Sequence, residues 1–126
     1  MTTLSTAARN AACDAIVDLV DDGTGAGNLI IRASDDAEIS THAMSATAFG
    51  AAGAVNPGEA VADAIADDND ATGGTAAKFT LEDGDDVVVI SGTAGTTGDL
   101  VLNTATIGAG AKVSITALTV TVPASA

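Results

Sequence analysis

The sequence predicts an α+β fold that is mainly β, with an N-terminal helix packed on an antiparallel β-sandwich or barrel. Three observations lead there. Residues 5–21 place apolar side chains at helical spacing in an alanine-rich background, which favours helix by both propensity and pattern. From residue 28 onward, short apolar and β-branched runs alternate with turn signals roughly every ten residues. The chain has 126 residues, no fixed-period repeat and no linker-like stretch. One domain over 1–126 is therefore expected, with the helix over 5–21 and the β body over 28–123.

The helix opens at Ser5 or Thr6, either of which can cap the first turn through its hydroxyl. Leu4, Ala8, Ala12, Ile16 and Leu19, with Ala15 and Val20 alongside, form the stripe expected to be buried, foremost against the β body, with an interface between copies as the alternative. Asp14, Asp18 and Asp21 are then expected on the solvated face. Gly23 suits a left-handed residue after the last turn, and Gly25 and Gly27 are expected to make the connection flexible. Leu29, Ile30 and Ile31 are consecutive, as in a strand covered on both faces.

Asp35-Asp36 reads as a polar turn, and Glu38 to Met44 as a second strand. Ile39, Thr41 and Ala43 share one face of that strand, while Ser40, His42 and Met44 share the other. Ala46 to Gly58 reads as a loop anchored by Phe49, with Asn56-Pro57-Gly58 as a turn. Glu59 to Ala66 fits helix or strand, and its short-strand neighbourhood tips it to strand. Asp67 to Gly74 is an acidic loop.

From Thr75 the pattern is plainly β. Ala77, Phe79 and Leu81 alternate with Lys78, Thr80 and Glu82, giving an inward and an outward face. Asp83-Gly84 signals a hairpin turn. Val87 to Ile90 then returns as a strand expected to be covered on both faces. Gly92 to Gly98 reads as a flexible connection, Leu100 and Leu102 as a short strand, and Ile107 to Ala111 as a loop. Lys112 to Val122 reads as the longest strand. Its apolar phase slips between Ile115 and Leu118, so a β-bulge is expected near Thr116-Ala117.

Composition narrows the function. Seventeen acidic residues face four basic ones, a formal charge of −13. Phosphate backbones and anionic bilayers are bound through Lys and Arg, so neither nucleic acid nor membrane is an expected partner. Two aromatics, Phe49 and Phe79, are few for a core of this length. A modestly stable monomer is the consequence, and assembly with copies of itself is expected. Cys13 is the lone cysteine, so it forms no intrachain disulfide, and it reads as a small, partly buried residue. No basic segment with an apolar core opens the chain and no run is long enough to span a bilayer, so synthesis in the cytoplasm as a soluble chain is expected.

No residue set points to catalysis or to a cofactor. His42 is the only histidine, with Ser40 two residues before it, and strand alternation alone does not build a nucleophile–base pair with an orienting acid. A surface or edge histidine is the expectation. The glycines at 23, 25 and 27 resemble a dinucleotide fingerprint but follow a helix instead of opening one, so the phosphate cradle is missing. The acidic loop offers Asp67, Asp68 and Asp70 as the candidate metal ligands, because calcium takes several carboxylate oxygens at close range. Glu82, Asp83, Asp85 and Asp86 cluster at the hairpin tip. Neither cluster has the twelve-residue calcium-loop pattern, and solvated acidic loops are the simpler reading.

The stretch Leu4-Ser-Thr-Ala-Ala-Arg-Asn-Ala-Ala-Cys-Asp-Ala-Ile-Val-Asp-Leu-Val-Asp-Asp-Gly resembles a group of small structural proteins of tailed bacteriophages associated with head decoration. The resemblance continues through Ala48-Phe49-Gly50-Ala51-Ala52, Thr75-Ala76-Ala77-Lys78-Phe79 and Asp99-Leu100-Val101-Leu102-Asn103-Thr104, and ends in the strand from Lys112 to Pro123. The segment between Arg32 and Ala46 is shorter than in that group. The N-terminal motif is the distinctive part.

What the resemblance implies is a non-enzymatic virion protein, foremost a capsid decoration or cement protein. It would be made in the bacterial host cytoplasm, sit on the outer capsid surface, bind the major capsid protein and act as a homo-oligomer. The group has no catalytic motif to carry over. The Ala46 to Pro57 loop and the N-terminal residues, poor in charge, are the expected capsid-binding arms. The alternatives are a tail-tube, fibre or baseplate structural protein, and a calcium- or carbohydrate-binding adhesive module.

Overall fold

A computed structural model of the chain describes residues 2–125. The fold is α+β and mainly β, as the sequence predicts. Helix α1 (Thr6–Asp18) is followed by a 3₁₀ turn at Leu19–Asp21. Nine strands come next: β1 (Asn28–Arg32), β2 (Glu38–Ala43), β3 (Glu59–Val61), β4 (Gly74–Thr75), β5 (Lys78–Glu82), β6 (Val88–Gly95), β7 (Leu100–Val101), β8 (Thr106–Ile107) and β9 (Thr119–Thr121). One five-stranded sheet has the order β2-β1-β5-β6-β7, and two ladders pair β3 with β9 and β4 with β8.

The sheet is built around β1. Leu29, Ile30 and Ile31 are all buried, because β2 and β5 flank the strand and side chains pack on both of its faces. With Ile39 on β2 and Phe79 and Leu81 on β5, they form the centre of the core. Each large aliphatic side chain buried there contributes about 1.5–3 kcal/mol. The ladders correct the antiparallel expectation on one point. β6 and β7 run parallel, so the sheet is mixed, and its strand order is open, with β2 at one end and β7 at the other.

Three strand expectations are revised. β6 runs to Gly95, so Gly92 and its neighbours belong to a strand and not to a flexible connection. At its start, Val87 and Val88 are 58% and 52% exposed, because the apolar run lies at the rim of the sheet and not in its middle. The stretch from Lys112 to Val122 is a strand only at Thr119–Thr121, with a single bridge at Val113. Its phase slip is real: Val113, Ile115 and Leu118 are all buried. The slip occurs in backbone outside any strand, where no partner enforces strict alternation, so there is no bulge. Glu82, expected outward, is buried. It accepts from Thr80 Oγ1 at 3.3 Å and lies 3.4 Å from the Arg32 guanidinium, a pairing that lets a carboxylate leave water.

The helix holds the largest surprise. Ser5 caps it as expected, its hydroxyl accepting from the Ala8 amide at 3.1 Å. The buried residues, however, are Cys13, Val17 and Val20, while Ile16 and Leu19 are 37% and 49% exposed and Ala8, Ala11 and Ala15 are exposed too. Most of the expected stripe faces out, although Val20 beside it is buried and Asp18 is exposed as expected. At 3.6 residues per turn, the buried arc lies roughly a third of a revolution from it. The side expected to be solvated turns inward because loop 46–58 needs it. Asp14 Oδ1 accepts from the Ala52 amide at 2.7 Å, Asp21 Oδ1 from the Ala48 amide at 2.8 Å and Asn10 Oδ1 from the Gly58 amide at 2.7 Å. Arg9 donates to the Val122 and Pro57 carbonyls at 3.0 and 2.9 Å.

The glycines after the helix close a contact and do not loosen one. Gly23 has φ +86°, and a Cβ there would come within 2.8 Å of Asp85 on the β5–β6 hairpin. Gly27 is buried, and any side chain on it would collide with the Glu82 carbonyl. Gly84 donates to the Asp22 carbonyl at 2.9 Å and Thr24 to Asp85 Oδ1 at 3.1 Å, so the acidic hairpin tip is docked on this loop.

Urea unfolding of two variants tests the helix orientation. At dilutions where the chain is monomeric, Val17→Ala should destabilise it by about 1–3 kcal/mol through lost burial and a residual cavity, whereas Leu19→Ser should stay within about 0.5 kcal/mol. The reverse order would put the expected stripe back in the core.

Candidate functional site

Ser40 and His42 lie two apart on β2, so alternation puts both side chains on one face. That face is inside: Ser40 is 1% and His42 0% exposed, which corrects the expectation of a surface or edge histidine. The Ala66 carbonyl, 2.9 Å from Nδ1, can only accept, so Nδ1 donates to it. In the neutral tautomer that this sets, Nε2 accepts from the Ser40 hydroxyl at 3.0 Å. A hydroxyl bonded to an imidazole nitrogen is a nucleophile–base contact that sequence reasoning had discounted. Its surroundings argue against chemistry. The group behind Nδ1 is a backbone carbonyl and not a carboxylate, and no path leads a substrate to an oxygen that is shut from solvent. The pair instead ties residue 66 to β2. A period-two Ser/His pair is legible in sequence, but which face of the strand is buried is not.

The three candidate metal ligands separate. Asp68 Oδ2 accepts from the Thr41 amide and Oδ1 from the Asp70 amide, both at 2.9 Å. These amides, Asp70 first, hold the Asp68 carboxyl below the usual carboxylate range. Asp67 turns to Ser114 and Lys112, with Lys112 Nζ 3.3 Å away. The Ser114 hydroxyl is the stronger of the two influences that lower its pKa. Asp70 is exposed. The loop thus brings the three together in sequence but points them at different partners, and no group of three His, Cys, Asp or Glu side chains among the described residues is placed to share an ion. Asp68 serves as a backbone surrogate. It satisfies an edge amide of β2 that has no strand beside it there.

Cys13 is fully buried, more so than expected, with its thiol donating to the Val120 carbonyl at 3.4 Å. Burial pushes its pKa up, which suppresses the thiolate that reactive cysteines need. An open groove of about 390 Å³ lies between Leu102–Gly108 and Ala111–Ser114, floored by Leu102, Ile107 and Val113. Its one charged side chain, Lys112, is already paired with Asp67. The expected arms are also tied down. Leu4 N–H donates to the Ala124 carbonyl at 2.7 Å, and loop 46–58 is held by α1.

What remains uncovered is apolar surface. Ala8, Ala11, Ala15, Ile16 and Leu19 line the outer side of α1, and Val87 and Val88 stand exposed at the start of β6. The face runs along three turns of α1 and into the 3₁₀ turn, its members spread over about 140° of arc on one side. No helix among the described residues is long and apolar enough to cross a membrane. No protein-family model, curated protein or solved structure matches the chain.

The fates of Asp68 and Asp70 give a stability test. The Asp68 pKa is lowered on folding, so its stabilisation is full above the ordinary aspartate value of about 3.9 and is lost as pH falls through the depressed folded value. Asp68→Ala should lower neutral-pH stability by about 1–2 kcal/mol and flatten the acid limb of the pH–stability curve, while Asp70→Ala, at an exposed side chain, should stay within about 0.5 kcal/mol at neutral pH. Millimolar calcium should leave the thermal midpoint where it is, because Asp67 and Asp68 are already engaged. A calcium-dependent rise would restore the loop as an ion site.

Proposed function

We propose that this chain is a non-enzymatic structural protein of a bacteriophage virion. In this reading it is a capsid decoration or cement protein that binds the major capsid protein on the outer surface of the head and acts as a homo-oligomer. The observation that carries the proposal is the outward apolar face of α1. It lies within Leu4–Gly23, the stretch whose sequence resembles phage head proteins, and its exposed alanines allow close approach of another backbone.

The physics of such a role is consistent with the chain. A shell of repeated subunits resists internal pressure better when an outer protein bridges neighbours, and an oligomer does so through several weak contacts at once. An exposed apolar helix face supplies contact area without needing charge. The charge of −13 keeps free subunits apart from nucleic acid and soluble until a specific surface is met. The fold is already held by its own core, so binding need not drive folding.

Particles from cells carrying the gene provide the test. The protein should band with them in a density gradient, and immunogold should mark their heads. Label on tails would select the tail-protein alternative, and absence from particles would overturn the virion reading. In solution, light scattering should give a discrete small oligomer that calcium does not alter. Leu19→Glu should reduce it to a monomer, since a charge on that face must otherwise be buried.

A further inference from the structure

The two ends of the five-stranded sheet are treated differently. The outer edge of β2 is covered throughout: Asp68 accepts from the Thr41 amide, Ile39 O accepts from the Thr72 and Gly73 amides, and Ala43 O accepts from the Ala66 amide. At the other end, β7 reaches β6 only at Ala94–Leu100 and Gly95–Val101. Among the described residues, β6 therefore has β5 on one side over Val88–Thr93 and no strand on the other along that stretch.

Backbone alternation says what this edge presents. The Ala94 amide donates towards β5, to the Ala77 carbonyl at 3.0 Å. The Thr93 amide must then point away from β5, and it does: it donates to Asp99 Oδ2 at 3.0 Å. Two residues back, Ser91 directs its N–H and C=O the same way, and Ser91 is exposed. Unpaired edges usually carry lysine, proline or a charge that blocks further pairing. Val87 to Gly92 carries none of these, and its first two residues are the exposed valines. Val89 is the extra residue where the β5–β6 register shifts, since Glu82 pairs with Val88 and Leu81 with Ile90. That irregularity precedes the outward groups of Ser91 and leaves them unobstructed.

Acidic groups bracket the edge. Asp85 and Asp86 immediately precede Val87, and Asp99 sits on the Thr93 amide at the far end. None of these three takes part in the ion pairs found among the described residues. The uncharged interval from Asp86 to Thr93 spans seven residues, about 23 Å at ~3.3 Å per residue. A second copy fits badly here. Antiparallel pairing of two identical edges would bring Asp86 of one against the Asp99 end of the other, on chains that each carry −13.

We infer that the free edge of β6 is a strand-addition site for an extended segment of a different protein, β-branched in its middle and carrying Lys or Arg at both ends. Main-chain hydrogen bonds to the outward N–H and C=O of Ser91 supply the pairing, Val87 and Val88 cover the added side chains, and the flanking acids select the partner's charge. The inference stands on the edge alone and does not depend on the virion reading.

The probe is a blocked peptide, acetyl-Lys-Thr-Val-Thr-Val-Thr-Val-Lys-amide, titrated into the full chain with amide NMR as the readout. Shifts should be confined to residues 86–93 and 99. Affinity at low salt should exceed that of the Glu-flanked analogue by about tenfold, with the ratio collapsing at high salt. Asp99→Asn keeps an oxygen for the Thr93 amide and should weaken binding about threefold. Ser91→Pro removes the outward N–H, a substitution edge strands tolerate, and should abolish binding. Should that variant misfold, N-methylation of the central peptide valine removes the matching donor from the peptide and should have the same effect. Equal affinity for the two peptides, binding indifferent to N-methylation, or shifts elsewhere on the protein would each overturn the inference. So would peptide-free, concentration-dependent shifts at the same residues, which would make a second copy the occupant.

Discussion

The structure depends on a loop that cannot hydrogen-bond itself. Residues 46–58 cross the molecule between β2 and β3 with little regular pairing of their own, and every buried amide there needs an acceptor. Gly50 and Gly53 find theirs in the Val61 and Glu59 carbonyls, while Ala48, Ala52 and Gly58 find theirs on Asp21, Asp14 and Asn10 of the helix. That demand turns the polar side of α1 inward. Once it is inward, only Cys13, Val17 and Val20 remain to meet the core, and the richer apolar stripe has no place but the surface. The exposed helix face is thus the geometric consequence of clamping the loop.

This is also why the orientation of the helix was the part of the fold least legible in the sequence. Periodicity finds a helix reliably, and it did at Thr6–Asp18. Choosing the buried face by apolarity assumes that the core is the only thing inside. Here backbone amides are inside as well, and Asp14 and Asp21, seven residues apart and so nearly in line, were the available signal. The strands were legible where cover is complete, at Leu29–Ile31 and at Phe79 and Leu81. They misled where an apolar run lies at the rim, as at Val87–Val88, or where a segment packs with only isolated pairing, as from Val113 to Leu118.

The candidate chemistry follows the same logic. Ser40–His42 and Asp67–Asp70 drew notice as residue types that do catalysis or bind metal, and both are spent on the backbone. His42 takes the Ala66 carbonyl and Asp68 takes the amides of Thr41 and Asp70, so both sew residues 66–70 to the edge of β2. No composition or spacing rule could separate these roles from functional ones, because the deciding fact is which backbone groups a distant segment leaves unpaired.

The chain therefore spends polar side chains freely to close one edge of its sheet and to clamp a loop, yet leaves the opposite edge and the helix face uncovered. In a protein with only two aromatics, covering them internally would need residues it does not have. The two surfaces differ in what they can recognise. The helix face offers area and close approach but little direction, which suits contact between subunits held in register by something else. The β6 edge offers directed hydrogen bonds between acidic posts, which sets both the register and the charge of what pairs with it. A subunit of the proposed oligomer gains from keeping these apart, because it then meets its copies without stacking into open-ended sheets. Acidic residues beside an exposed edge disfavour its own kind there, which leaves the apolar face of the helix as the surface for the proposed self-association.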